Sequence, residues 1–257
     1  MVKEAGVLPQ KLFESPAFVV LDKPAGLPVH AGPRGGPSVE DWFGLLSRRR
    51  TGPWLVHRLD ADTSGCLVIA LRRTALLEAQ AAFASGQARK TYWAVVRGGP
   101  AGDAGVVDAP LLKQSRPGGW RMVVDPAGQA ARTAWRVLGR AGGLAWLELH
   151  PATGRTHQVR VHCAHLGCPV LHDPVYGDGD GTLHLLARAI ALPLTPPLAA
   201  VAPPPPHMEA ALRGLGFDKP CPAGGRGLGE GGKTRRSFGV VAPPSPLPSP
   251  ASGRGRS

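Results

Sequence analysis

From about Arg213 to the C-terminus the sequence turns to Gly, Pro, Ser and Arg with few apolar residues. That leaves too little hydrophobic surface to offset the entropy lost on ordering. Any core must therefore be built by residues 1–212, read here as one domain, with 213–257 expected to be a disordered basic tail. Lys and Arg number 30 against 18 Asp and Glu, a net charge of +12. The tail holds eight basic and two acidic side chains, so it carries +6 and leaves +6 on the body. A moderately basic body suits a partner that is a polyanion, because each phosphate neutralised releases counterions.

Other classes are disfavoured. Cys66, Cys163, Cys168 and Cys221 lack paired C-x-x-C spacing, and Lys3, Glu4, Lys11 and Glu14 interrupt any apolar leader. The longest uncharged stretch, Ala189 to Met208, contains seven prolines and cannot continue as a membrane-spanning helix. Free thiols in a reducing cytoplasm, no membrane span and a monomer are the expectation.

Within the body, strand-like and helix-like segments alternate without an internal repeat, which favours an α+β domain. Phe18 to Leu21 is a short apolar run, and Pro24, Gly26 and Pro28 then force a loop. Ser38 begins a helix that Asp41 helps to cap, with Trp42, Leu45 and Leu46 on one face. Cys66 to Leu71 reads as a buried strand, Thr74 to Ser85 as a helix closed by Gly86, and Lys90 to Val96 as a strand. Further strands fit Trp120 to Val124, Arg132 to Leu138, Leu144 to Leu149 and Leu183 to Leu192. Val159, Cys163 and Leu166 recur at helical spacing between Thr156 and Gly167.

Two polar clusters stand against this background. The run from His57 to Gly65, His-Arg-Leu-Asp-Ala-Asp-Thr-Ser-Gly, lies between apolar stretches. Polar residues so placed form a loop at the edge of a core, where sites usually lie, although Arg58 and Asp60 also fit a solvated turn. The run from Gly154 to His162, Gly-Arg-Thr-His-Gln-Val-Arg-Val-His, sets polar side chains at a helix start. A helix N-terminus beside arginines suits phosphate or carboxylate; the plainer alternative is that Arg155 and Arg160 decorate a surface.

Together these clusters make the sequence resemble the RluA family of RNA pseudouridine synthases, at five places in the family's order. The matches are Leu21 to His30, His57 to Gly65, Lys90 to Val96, His150 to His162 with Asp173 to Gly177, and Leu183-His184. They span nearly all of residues 18–192. The resemblance implies the pseudouridine-synthase fold, a bent, mainly antiparallel sheet with flanking helices and a catalytic cleft. It implies an isomerase that turns uridine in transfer or ribosomal RNA into pseudouridine, with RNA as partner and neither metal nor organic cofactor. Many relatives carry a small RNA-binding domain first, but only about seventeen residues precede Phe18, so the cleft itself is expected to read the RNA. Leu185 departs from the Ala that relatives often have after Leu183-His184.

By the same resemblance Asp60 is the essential aspartate, Tyr92 lies against the target base and Arg160 is the ionic partner of Asp60. A carboxylate in a water-poor pocket needs such a cation, and a bidentate guanidinium meets that need better than an ammonium. Arg58 is expected beside a flipped-out nucleotide, either filling the vacated space or pairing with a phosphate. His57, Lys90, Arg155 and His157 complete the expected RNA contacts. The alternative function is a catalytically inactive RNA-binding protein on the same fold.

Two further patterns lose to simpler explanations. Gly227 to Thr234 fits G-x-x-x-x-G-K-[ST], but prolines and glycines precede it where a phosphate loop needs a buried strand, and no helix pattern follows. His157, His162, His165, Cys163 and Cys168 invite a zinc assignment, but His162, Cys163 and His165 are too closely spaced for paired ligand knuckles and no carboxylate ligand is obvious nearby.

Overall fold

The computed structural model describes residues 7–32, 35–48, 51–117 and 119–218. The expected tail, with its phosphate-loop-like stretch and Cys221, lies outside the described residues apart from its first few positions. Twelve strands occur among them: β1 Lys11–Glu14, β2 Phe18–Lys23, β3 Trp54–Leu55, β4 Ser64–Ala70, β5 Arg89–Arg97, β6 Ala104–Asp108, β7 Leu111–Arg116, β8 Gly119–Val124, β9 Arg132–Ala141, β10 Leu144–Pro151, β11 Leu185–Leu192 and β12 Leu198–Val201. The helices are α1 Phe43–Leu46, α2 Arg73–Ala84, α3 Gln158–His165 and α4 Pro206–Gly214. None of them is long and apolar enough to cross a membrane.

Ten strands form one sheet in the order β1-β2-β4-β11-β5-β10-β9-β6, with β12 added to β11 and β3 to β4. The pairings are antiparallel except that of β4 with β11, so the expected α+β class with a mainly antiparallel sheet is what the chain forms. Strand β4 is buried along its whole length, as its unbroken apolar sequence requires. It approaches β11 so closely that a Cβ on Gly65 would lie 2.3 Å from the Ala187 carbonyl oxygen. Gly65 also has φ +106°, a region closed to most side chains, so glycine is required twice over where β4 leaves the first polar cluster.

The two faces of the sheet bury different sets of residues. On one, Val68, Trp93, Val95 and Ile190 pack against Ala75 and Ala79 of α2 and Met208 and Leu212 of α4. On the other, the core is divided. Ala94, Leu147 and Leu149 meet Val159 and Cys163 of α3 at one end, while Val19, Leu21, Leu67 and Ile69 meet Val39 and Trp42 at the other. Tyr92 packs against both of these clusters and marks the seam between them.

Several expectations need adjusting. The helix after Ser38 is a 3-10 turn, Val39–Trp42, followed by the single turn of α1. Asp41 does accept from the Ser38 backbone N–H, at 2.9 Å, but Leu45 is exposed, so the apolar stripe is too narrow to extend the helix. The second cluster enters its helix at Gln158, because His157 takes a left-handed conformation with φ 54°. The boundary expected at 212 falls inside α4, and the described domain runs to Asp218: Leu215 is buried, and Phe217 sets its ring edgewise on Trp93 and Trp146.

Candidate active site

The first cluster is pinned from both sides. His57 Nε2 accepts the Val68 backbone N–H of β4 at 3.1 Å and its ring stacks on Phe83, while Leu59 is buried in the core beneath. Burial pushes the His57 imidazole down to about 4, so at neutral pH it is the uncharged acceptor this bond requires. The Asp60 carbonyl accepts from Thr63 N–H at 3.1 Å, closing a turn immediately before β4. These ties lift the Asp60 side chain, 26% exposed, into a cleft of about 760 Å³ at the seam marked by Tyr92. The volume lies within the range of pockets that enclose a small organic ligand.

Lys23, which is 1% exposed, was not singled out from sequence as a site residue. Its ammonium donates to the carbonyls of Pro24, Leu27 and Ala61 at 2.8, 2.7 and 2.7 Å, using all three N–H bonds. Burial lowers it to about 8, still above neutrality, so the charged form that makes three bonds persists. Lys23 thus ties the loop after β2 to the residue that follows Asp60.

All eight residues singled out from the sequence line this cleft. Tyr92 enters from β5; burial first, and Asp60 second, push its phenol above the usual tyrosine range, so it is a neutral O–H donor and acceptor. Lys90, two residues earlier on the same face, donates to the Thr153 carbonyl at 2.7 Å, and burial lowers it to about 8. Arg58 and Arg155 are exposed at the rim, Arg155 using Nε on the Ala130 carbonyl at 3.1 Å.

Arg160 departs from its expected geometry. It is 2% exposed, which rules out surface decoration, but its bidentate grip is on Asp173: Nε to Oδ2 at 2.8 Å and Nη2 to Oδ1 at 2.7 Å. Only Nη1 turns toward Asp60, 3.6 Å from Oδ2, an ionic contact and not a hydrogen bond. A guanidinium this deeply buried needs full neutralisation, and the half-exposed Asp60 does not provide it. Burial opposes the charge on Asp173, but the Arg160 hydrogen bonds and charge, with the backbone N–H groups of Val175 and Tyr176, outweigh it and hold that carboxyl below its usual range. The Asp60 carboxylate itself receives no hydrogen bond from any described residue.

The other group near Asp60 is His157, whose Nε2 lies 3.9 Å from the same Oδ2. Its Nδ1 is 2.9 Å from the hydroxyl of Tyr176, which also accepts the Met122 backbone N–H at 3.0 Å. The His157 ring stacks on Trp120 at 5.2 Å, and Lys113 Nζ stands 4.6 Å from the Trp120 ring. Met122, Trp120 and Lys113 belong to β7 and β8, a separate two-stranded ribbon that walls the cleft. The remaining polar residues of the second cluster are structural. Gln158 accepts from Thr153 Oγ1 and Arg155 N–H and donates to the Arg132 carbonyl and Thr133 Oγ1. His162, fully buried, pairs with Thr133 Oγ1 and the Ala109 carbonyl. Among the described residues no group of three or more His, Cys, Asp and Glu side chains is arranged to hold a metal ion.

Residues 17–165 match a family model described as RNA pseudouridylate synthase. The chain belongs to this family. An uncharacterized RNA pseudouridine synthase of Zymomonas mobilis is 40% identical over 215 residues, covering 80% of this chain and 96% of that protein. A ribosomal large subunit pseudouridine synthase C of Salmonella typhi is 37% identical, covering 72% of this chain and 62% of the relative. Among solved structures, human RNA pseudouridylate synthase domain containing 4 superposes with a TM-score of 0.70 at 30% identity, over 82% of this chain and 94% of that one. The similarity to the RluA type seen in the motifs stands, and with it an isomerase that converts uridine in RNA to pseudouridine.

Proposed function

We propose that Asp60 is the carboxylate through which this synthase isomerises a uridine that has been turned out of its RNA and into the cleft. The observation that carries the reading is the state of that side chain. Asp60 projects into the cavity with no hydrogen bond from any described residue, while Arg160 and His157 stand at 3.6 and 3.9 Å from one of its oxygens. A carboxylate flanked by such groups, with its hydrogen-bonding capacity still open among the described residues, is ready for a ribose.

In the reaction the bond from C1′ to N1 breaks, the uracil turns, and a bond forms from C1′ to C5. The hydrogen on C5 leaves as a proton and N1 gains one, so atoms balance with no oxidant and no hydrolytic water. Asp60 acts by adding to C1′ or by removing the 2′ proton; both routes use the same open oxygen. Tyr92 faces the base as a neutral phenol, so to accept the C5 proton it must first pass on its own. A uridine held in a stem or folded loop must be extruded to reach Asp60, at a cost of a few kcal/mol. Arg58, Lys90 and Arg155 line the route of the phosphates. The RNA read by this cleft is transfer RNA, ribosomal RNA or both.

The test is a pair of pseudouridine maps of total RNA, from cells with and without the protein. A site that is lost on deletion, restored by wild type and not by Asp60→Asn identifies both substrate and carboxylate. Restoration by Asp60→Asn refutes the assignment.

A further inference from the structure

The β7–β8 ribbon meets the site at His157 and Tyr176. His157 is bracketed by the ribbon on two sides, its ring face on Trp120 and its Nδ1 on a Tyr176 hydroxyl that the Met122 backbone N–H holds in place. Its remaining nitrogen points at Asp60. The outer end of this chain of contacts is open to a polyanion: Trp120 is 41% exposed, one of the largest exposed apolar side chains, with the Lys113 ammonium beside it.

We propose that His157 is a positioning residue that couples RNA seated on the β7–β8 ribbon to the orientation of Asp60. This rests on the reading of Asp60 given above. The Tyr176 hydroxyl, already accepting from Met122, gives its own hydrogen to Nδ1, which leaves the ring's single proton on Nε2. Burial keeps the imidazole in this uncharged form, outweighing the pull of Asp60 in the other direction. At 3.9 Å the Nε2–H is about 1 Å too far for a hydrogen bond to Oδ2. Pressure of a bound RNA on Trp120 is transmitted through the stacked rings and closes that gap, fixing one oxygen of Asp60 and aiming the other at the ribose. The left-handed backbone of His157 matters here. It turns the side chain back from α3 toward the cleft, and among ordinary residues histidine and asparagine tolerate it best.

The test uses bulk RNA labelled with 5-tritiated uridine in cells lacking the protein, because joining C5 to C1′ releases the tritium. Rates at saturating full-length enzyme and half-saturating concentrations are read separately. His157→Asn keeps the backbone conformation but cannot reach Asp60. It is expected to lower the saturating rate about 10- to 100-fold with the half-saturating concentration unchanged. His157→Gln, whose amide nitrogen sits where Nε2 does, is expected to recover part of that loss. Trp120→Ala, outside the core, is expected to lower the saturating rate too, and the double variant to be no slower than His157→Asn alone. A wild-type saturating rate in His157→Asn or in Trp120→Ala, or effects that multiply in the double variant, overturns the coupling. Undiminished release by Asp60→Asn is a separate result that defeats the underlying reading of Asp60 instead.

Discussion

Arg160 gives Asp173 two hydrogen bonds, at 2.7 and 2.8 Å, and reaches Asp60 with only Nη1, at 3.6 Å. The guanidinium is thereby held still by a second, fully buried carboxylate. Asp173→Asn preserves the shape and removes the charge, leaving the buried cation without its partner. Removing one member of such a pair costs about 3–5 kcal/mol, to be read as a shift in the urea unfolding midpoint. Tritium release is expected to fall as well, because the freed guanidinium is no longer held at its set distance from Asp60.

Tyr92→Phe removes one oxygen from the cleft and leaves the ring that packs between the two core clusters. RNA affinity and melting temperature are expected to stay near wild type. If the hydroxyl takes part in removing the C5 proton, tritium release slows about 10²- to 10⁴-fold, the usual worth of a positioned acid or base. Unchanged release would confine Tyr92 to stacking.

Arg155 stands exposed at the rim, tethered through Nε to the Ala130 carbonyl, with the rest of its fork toward solvent. Arg155→Gln is expected to weaken RNA binding while leaving the saturating rate intact. The slope of log affinity against log salt should become shallower by about one, as for the loss of a single phosphate contact.

Two truncations test what the end of α4 and the residues after it contribute to stability. A chain ending at Asp218 is expected to melt as the full chain does. One ending at Leu212 loses Leu215 and Phe217, uncovering Trp93 and Trp146. Loss of a buried large aromatic alone costs about 3–5 kcal/mol, so the shorter chain should unfold far more readily.

Acid stability has a defined direction. The His150 hydrogen bond first, with those from Trp93 and the Arg136 charge, holds the Glu148 carboxyl down to about 2 from 4.5. A carboxyl depressed in the folded state contributes stability that is present above its unfolded value and lost as pH falls through the folded one. For Glu148 that window runs from 4.5 to about 2, and Asp173 acts in the same sense. Urea midpoints measured across this range should fall with pH, and Glu148→Gln should flatten the slope. Parallel curves for variant and wild type would contradict the assignment.

The strands read most easily from sequence were those with a continuous or alternating apolar pattern, such as β4, β5 and β10, and α2 was plain from its Ala-rich run and Gly86. Strand β7 was not legible, because Leu-Leu-Lys-Gln-Ser-Arg exposes all but its first residue and so has no period. The short β6 and β12, five and four residues long, are too brief to show a period. In the site, the family resemblance that the polar clusters carry points to Asp60, Arg160 and His157. Asp173 and Lys23 lie within the matching stretches, but an Asp or Lys before proline reads as a turn. Only the fold shows that both are buried and fully bonded. The bidentate partner of Arg160 was therefore misassigned to the more conspicuous aspartate.

The parallel pairing of β4 with β11 also sets an order of events during synthesis. Ser64 Oγ donates to the Leu185 carbonyl, 121 residues away, just behind the Asp60 turn. On the ribosome, the stretch bearing Asp60 emerges with β2 and β3 long before β11, so one flank of its loop stays open while some 121 further residues are translated. A nascent chain is therefore expected to leave the RNA around it unmodified until β11 arrives, and a slow-translating stretch before Leu185 to prolong that silence.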